Sequence, residues 1–483
     1  MKVYEQLDHP LALGIFVLTL FGPVIIGLVT SRMTLNQSDF FVGGRRMNRF
    51  VVALSAVSSG RSSWLVLGLS GMAYTMGAGA VWAVVGYITV EFFQFIYLGP
   101  KLRRYSEKYG SITLLDYFES RFNDTKHVIR ITGAVIITFF LTAYVAAQFN
   151  AGAKALGTAL DLPLIPALVL TALLIIIYMA MGGFIAVAYN DVVRAVIMMA
   201  GLLILPATCL FKMGGFGVLT ETLRSLNPAY VDPFSLGAGV ITGFIGIGLG
   251  SPGQPHIVVR YMSIKDPEEL KYSGVFGTVW NILMAWGALF TGLAGRALFP
   301  EISSLPDKNP EMIYLVLSSR YFGPVLYGLL VGGIFAAILS TADSQLLVVS
   351  STFVRDVYGR IMGRSNNAGK GGELGLSRII VVVSGIAAMV LAYAAKDLIF
   401  WLVLFAWAGL GASFGTCLIF SLFWKRTHKY AVVSGMITGT LVTIIWKLFL
   451  KEPTGIYELI PAFAFSSIVI VLVSLRQKRC KTE

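Results

Sequence analysis

The chain is 483 residues long, 56% hydrophobic and only 13% charged, with a formal net charge of +13. Soluble domains carry about a quarter charged residues, so this composition excludes a soluble globular protein and reads as an all-α integral membrane protein. The basic residues lie in short loops between apolar runs and form no single basic face, which argues against nucleic acid as a partner and for a lipid bilayer. Cys209, Cys417 and Cys480 have neither metal-ligand nor redox spacing, so no disulfide framework follows.

At roughly 20 apolar residues per crossing, about thirteen transmembrane helices are expected, near 10–30, 48–76, 80–99, 127–150, 162–182, 187–211, 236–259, 273–297, 322–352, 378–395, 398–423, 430–449 and 457–475. The first run lacks a basic flank and a small-residue cleavage site, so it reads as a retained helix and not a signal peptide. Basic residues concentrate in alternate loops: Arg32, Arg45, Arg46 and Arg49; Lys101 to Lys126; Arg260 to Lys271; Arg355 to Lys370; Lys425 to Lys429; and the tail Arg476, Lys478, Arg479 and Lys481. The positive-inside rule then puts the N-terminus outside and the C-terminus in the cytoplasm of a multi-pass protein of the cell (inner) membrane. The Gly-, Ser- and Asn-rich stretch 363–375 reads as a flexible loop within a single domain, 1–483.

The second span contains Arg61 among Ser58, Ser59, Gly60, Ser62 and Ser63. A guanidinium at membrane depth needs a partner, a water-filled cavity or a ligand, and its small polar neighbours favour an unwound backbone. Glu91 in the next span is the natural candidate partner. In the seventh span Ser251-Pro-Gly-Gln-Pro255 cannot continue a helix, because two prolines remove amide donors and free carbonyls for a solute or ion. The two interruptions lie five spans apart, the spacing of the first helices of two inverted five-helix repeats. The competing reading is that Gly and Pro here only allow helices to pack closely. The run Gly246-Ile-Gly-Leu-Gly-Ser-Pro-Gly253 lacks the strand and helix around a dinucleotide fingerprint, so that function is rejected.

The ninth span carries Ser340, Thr341 and Asp343, whose oxygens suit a hard cation such as sodium. Back-bonding to the preceding turn would account for the two hydroxyls but not for Asp343. Asp191 and Arg194 stand three apart at the start of span six and are expected either to pair on one helix face or to act in cation release. Tyr144, Gln148 and Asn150 in span four are candidate cavity residues or interhelical hydrogen bonders, and His256 reads as structural. The GxxxG pairs Gly328/Gly332, Gly411/Gly415 and Gly435/Gly439 are assigned to packing.

The chain resembles the sodium:solute symporters, nearest to their bacterial sodium/proline branch. The resemblance rests on Asp39-Phe-Phe-Val-Gly-Gly-Arg45, Ala53-Leu-Ser-Ala56 with Ser62 and Trp64, Ile112-Thr-Leu-Leu-Asp-Tyr-Phe118, Gly182-Gly-Phe-Ile-Ala186 with Asp191, Gly253-Gln-Pro-His256, Ser340-Thr341 with Gln345-Leu-Leu347, and Tyr457-Glu-Leu-Ile-Pro461. It implies a LeuT-type inverted repeat, with a first repeat over 47–211, a second over 236–423, and two peripheral helices and a cytoplasmic tail over 424–483. It also implies a sodium site made by the carbonyls of Ser58, Arg61 and Ala337 with the hydroxyls of Ser340 and Thr341. By the same resemblance Asp191 serves sodium passage, Arg45 serves coupling, and Trp64 and Tyr144 lie near the solute. The chain departs from the proline branch at Gly60, where an aspartate stands there, at Arg61, where a methionine stands, and at Ile247 and Ser251, where solute-contacting aromatics stand. Beside an ion site, the first two changes shift the local charge by about two units unless Glu91 or Asp343 compensates.

The expectation is a sodium-coupled symporter, with no cofactor, that imports a small organic solute, a proline-like amino acid or another small carboxylate. The expected solute contacts are Arg61, Ser62, Trp64, Tyr144, Ile247, Ser251, Gln254 and Pro255. Ser58, Arg61, Ala337, Ser340, Thr341 and Asp343 would hold sodium, and Arg45, Glu91, Asp191 and Arg194 would couple or gate. An arginine fork suits a carboxylate. Two alternatives stay open: proton coupling through Asp343, Asp191 or Glu91, and a transporter-like solute sensor. An enzyme is not expected, since the chain offers no coherent nucleophile and base or metal-ligand set.

Overall fold

Asn48 starts the first interrupted helix. Its side chain accepts from the amides of Phe50 and Val51 at 3.0 and 2.9 Å, capping a helix that runs Arg49–Ser63. The computed structural model describes residues 9–31, 37–179, 183–363, 370–394 and 399–476. Arg32, Gly182, residues 364–369 of the glycine-rich loop, Lys478, Arg479, Cys480 and Lys481 lie outside the described residues. Among those described there are helices and turns but no strand, only one isolated parallel bridge between Met47 and Ile264.

Among the described residues nine helical runs are long and apolar enough to cross a membrane. One of them, Arg49–Lys108, covers both the second and the third expected spans, and the shorter apolar helices Leu164–Ile176, Ala238–Gly253 and Arg378–Ala394 fall on three more. The class read from composition is therefore observed: a multi-pass helical membrane protein.

Both expected interruptions occur. Ser62 adopts φ 49° and ψ −171°, which breaks the helix inside its run of buried serines. The chain then continues through a π-helical segment, Trp64–Leu69, into Ser70–Met76. In the seventh span, Ala238–Gly246 tightens into a 3-10 segment, Ile247–Gly253, Gln254 is extended, and Pro255 opens a new helix, Pro255–Ser263. Proline at a first helical position costs nothing, because that amide has no helical partner.

Close packing accompanies the interruption, so the competing reading captures part of it. A Cβ on Gly253 would lie 2.3 Å from the Leu410 carbonyl oxygen and 2.6 Å from Gly411 Cα, which seats the 3-10 segment against the eleventh span. The GxxxG pairs do pack: a Cβ at Gly328 would meet the Ala12 oxygen at 2.3 Å, and one at Gly332 would meet Thr19 Oγ1 at 2.2 Å. Helix Pro324–Ser351, almost wholly buried, packs against Arg49–Ser63, Val128–Leu160, Phe184–Met213 and Pro10–Ser31. The two broken helices meet as well, Pro255–Ser263 lying on Arg49–Ser63. Met47 N donates to the Ser263 oxygen at 3.1 Å and Lys265 N to the Met47 oxygen at 2.9 Å, tying the start of one to the end of the other.

Candidate functional site

The backbone just before the break at Ser62 faces the middle of helix Pro324–Ser351. Ser340 Oγ donates to the carbonyls of Ser58 at 3.2 Å and Ala337 at 3.0 Å. Thr341 Oγ1 donates to the Ser59 carbonyl at 3.0 Å, and Ser59 Oγ returns a bond to the Ser340 carbonyl at 3.2 Å. Of the six expected cation ligands, Ser58, Ala337 and Ser340 meet in one bonded cluster, and Thr341 joins its edge through the Ser59 carbonyl. The Arg61 carbonyl accepts the Trp64 amide. All of these oxygens are neutral and come from carbonyls and hydroxyls, a donor set that fits a hard monovalent cation once the two hydroxyl protons rotate away.

Asp343, expected among the cation ligands, is differently engaged. Arg194 Nη1 donates to its Oδ2 at 2.5 Å, and Ser344 Oγ lies 3.3 Å from its Oδ1. The expected pairing of Asp191 with Arg194 is loose, at 3.9 Å. Arg194 is drawn to Asp343 on the facing helix, and Asp191 takes Arg260 at 3.2 Å. Asp191 Oδ2 also accepts from Ser55 Oγ at 2.7 Å and Ser59 Oγ at 2.9 Å, while Arg260 Nη2 reaches Ser344 Oγ at 2.5 Å. Arg260 counted only as a loop charge in the sequence, because its partners are scattered over three other helices.

Arg61, 2% exposed, is held as a member of a triad. Its Nη2 pairs with Glu91, as expected, its Nε donates to Asn281 Oδ1 at 2.7 Å, and Asn281 Nδ2 in turn donates to Glu91 Oε2. The guanidinium lies 4.0 Å from the centroid of the Tyr87 ring. Glu91 thus compensates the cation that Arg61 introduces beside the oxygen cluster. Asn281 gave no sequence signal, being a single amide in an apolar run.

A narrow pocket, with room for about one water in this conformation, adjoins this triad. Of the expected solute contacts, Arg61, Trp64, Tyr144 and Ile247 line it, joined by Gly60, Tyr87, Val403, Leu404 and Trp407. The other four sit elsewhere. Ser62 Oγ caps the Trp64 amide at 3.1 Å, the Ser251 carbonyl accepts the Gln254 amide, and Gln254 Nε2 donates to the carbonyls of Gly250 and Trp407 at 3.0 Å each. Pro255 lines a second, separate pocket together with Arg260, Ser344 and Phe184. Trp407 was missed because aromatic residues are common in apolar spans; here its Nε1 donates to the Ile247 carbonyl at 2.8 Å, across the interruption.

Gln148 Oε1 accepts from Ser63 N and Oγ, at 3.2 and 2.9 Å, and Asn150 donates to the Ala392 carbonyl, so both act between helices. The His256 ring packs edge-on against Tyr144. Arg45, at φ 56° after Gly43 and Gly44 of similar sign, donates to the Ser106 and Ser111 carbonyls at 2.9 and 2.7 Å and so anchors the loop between the third and fourth spans.

The family model described as the sodium:solute symporter family matches residues 40–439. The chain is 37% identical over 458 residues to a high-affinity proline transporter of Bacillus subtilis, covering 94% of this chain and 95% of that one. It is 34% identical to a sodium/proline symporter of Escherichia coli, covering 96% of this chain and 92% of that one. Among solved structures, a substrate-bound, outward-open Na+-coupled sialic acid symporter aligns with a TM-score of 0.81 at 19% identity over 96% of each chain. At that identity the alignment speaks for a shared fold.

Proposed function

This chain belongs to the sodium:solute symporter family, and from that membership we propose that it is a sodium-coupled secondary active symporter importing a small amino-acid-like solute, with proline the first candidate. The observation that carries the reading is the meeting of the first broken helix with helix Pro324–Ser351 at buried oxygens: the Ser340 hydroxyl bonds the Ser58 and Ala337 carbonyls within 3.2 Å, and the Thr341 hydroxyl bonds the Ser59 carbonyl at 3.0 Å. Sodium is cargo held there, with the Arg61 carbonyl completing the set. Asp343 is assigned to neutralising Arg194, and Asp191 with Arg260 to coupling and gating, as is the loop anchor Arg45. Thirteen spans in two inverted repeats, 47–211 and 236–423, with the N-terminus outside and the C-terminus cytoplasmic, form the architecture of this reading. The cavity near Arg61 holds the solute, and alternating access occurs around the two breaks.

The test is uptake of labelled proline into proteoliposomes under an imposed sodium gradient, run beside a pH gradient. Sodium-driven uptake is expected. Uptake driven only by the pH gradient would move coupling to the carboxylates, and no transport of any solute under either gradient would favour a sensor.

A further inference from the structure

We infer that Tyr457, backed by the ion pair of Lys451 with Glu458, is a latch that keeps the empty solute pocket shut by holding one of its walls, helix Ile399–Leu410; this rests on the pocket assignment above. Val403, Leu404 and Trp407 of that helix line the pocket. Tyr457 Oη donates to the Leu404 carbonyl at 2.7 Å. One turn further out, Lys451 Nζ lies 4.8 Å from the centroid of the Trp401 ring and 2.9 Å from Oε2 of Glu458, which is fully buried. These residues belong to the last two spans, Lys429–Thr454 and Leu459–Arg476, and the turn between them. The same turn sits on the outer half of the seventh span: a Cβ on Gly243 would stand 3.2 Å from Tyr457 Cβ, and one on Gly246 would stand 2.7 Å from Ile460 Cγ1. It therefore bridges the wall helix and the second broken helix.

The size of the pocket decides what the latch does. Room for about one water is far too little for an amino acid, so the solute enters only after a wall yields. The inner end of the wall helix is firmly seated. Trp407 is bonded to the Ile247 carbonyl across the second break, a Cβ on Gly411 would stand 2.4 Å from Gly250 Cα, and Thr416 shares a 2.8 Å hydrogen bond with Ser466 of the last span. Between Leu410 and Thr416 the chain is π-helical, Gly411–Gly415, a form at which helices bend. Swinging the outer half away about this point breaks the Tyr457 bond and the Lys451 contact and leaves the inner ties standing. Because the latched pocket excludes the solute, a stronger latch leaves a smaller fraction of carriers able to bind and so lowers the apparent affinity. Tyr457 is in this sense a positioning residue, acting on the solute through Leu404.

The experiment uses Tyr457→Phe in the full chain, which keeps the ring and removes the bond. In proteoliposomes with a sodium gradient, the half-saturating concentration of labelled proline is expected to fall about fivefold, the effect of one net hydrogen bond, while the maximal rate does not rise. Loss of packing alone cannot tighten solute binding. On intact cells, Val403→Cys in the pocket wall should react with a membrane-impermeant maleimide about fivefold faster when combined with Tyr457→Phe, after subtraction of the reactivity of the chain without Val403→Cys. Lys451→Met with Glu458→Gln removes both charges together and should move both readouts the same way. Ser466→Ala loses bonds to Thr416 and to the Gly435 carbonyl at the inner end, and should lower the melting temperature without moving either readout. Half-saturation and labelling unchanged in Tyr457→Phe and in the paired variant, or a half-saturating concentration that rises, overturns the latch while the transport reading stands. If the wild-type chain takes up no proline, the proline reading falls and labelling alone decides: a faster rate in Tyr457→Phe keeps the latch, and an equal rate removes it.

Discussion

Asp191 and Arg260, 69 positions apart in the chain, form a fully buried ion pair at 3.2 Å, surrounded by the hydroxyls of Ser55, Ser59 and Ser344. These five residues come from four helices, Phe184–Met213, Pro255–Ser263, Arg49–Ser63 and Pro324–Ser351, so one charge pair pins both broken helices to the core. Removing one member of a buried pair leaves the other charged and stranded in low dielectric. Asp191→Asn and Arg260→Met should therefore each destabilise the protein by roughly 3 kcal/mol, and the double variant by clearly less than the sum. Thermal unfolding of the three variants in detergent checks this; strictly additive losses would mean that the pair is not coupled.

Two glycines of the seventh span should respond oppositely to the same methyl group. Gly253→Ala drives a Cβ to 2.3 Å from a backbone oxygen that cannot give way, whereas Gly239→Ala meets nothing within 4 Å. The first should lose about 2 kcal/mol or more through overpacking, and the second should gain up to about 1 kcal/mol of helix propensity. Comparing the melting temperatures and size-exclusion profiles of the two variants separates the cases, and equal behaviour would refute the close contact with Leu410.

Broken helices were legible in the sequence because proline and glycine act locally: Ser251-Pro-Gly-Gln-Pro255 cannot be a continuous helix in any surroundings. The convergence of Ser340 and Thr341 on the first break came from resemblance, and the Arg61 to Glu91 pair from the cost of an unpaired guanidinium in an apolar span. Partnerships over long separations were not legible. Arg194 chose Asp343 over its near neighbour Asp191, and Asn281 and Trp407 entered the site from spans that looked uniformly apolar. Ser251, Gln254 and Pro255 were misplaced for one reason: unwinding removes the helical phase that would tell which side of the chain faces the cavity.

At the cytoplasmic side of this reading, Asp116 opens a short amphipathic helix, Leu114–Phe122, capped by Thr113. Burial pushes its carboxyl up, but Arg355 and Arg130 outweigh that and hold it below its ordinary value of 3.8. A carboxyl depressed by folding contributes stability that is full above its unfolded value and lost as the pH falls through its folded value. Asp116→Asn should therefore lower stability at neutral pH while flattening the acid limb below about pH 4. Melting curves between neutral and acid pH for both proteins provide the comparison. Parallel curves would show that the two arginines do not stabilise the Asp116 carboxylate.

Ser340 and Thr341 provide the sharpest test of the ion site, because the structure gives each hydroxyl a second employment. Ser340 bonds the Ser58 and Ala337 carbonyls, and Thr341 bonds the Ser59 carbonyl, so alanine at either position removes one or two neutral hydrogen bonds. Were that the whole role, each variant would lose about 1 kcal/mol of stability and transport with an unchanged dependence on sodium. If instead the hydroxyls turn their lone pairs to the cation, alanine removes a ligand from a site without a formal charge of its own. The sodium concentration giving half-maximal uptake should then rise about tenfold or more, while the maximal rate at saturating sodium falls far less. Thr341→Ser keeps the oxygen and should restore the sodium dependence, although it loses a methyl group from the packed helix. A melting temperature that drops with no movement of the sodium curve, in both alanine variants, would reduce these residues to helix packing and remove the strongest support for sodium at this position.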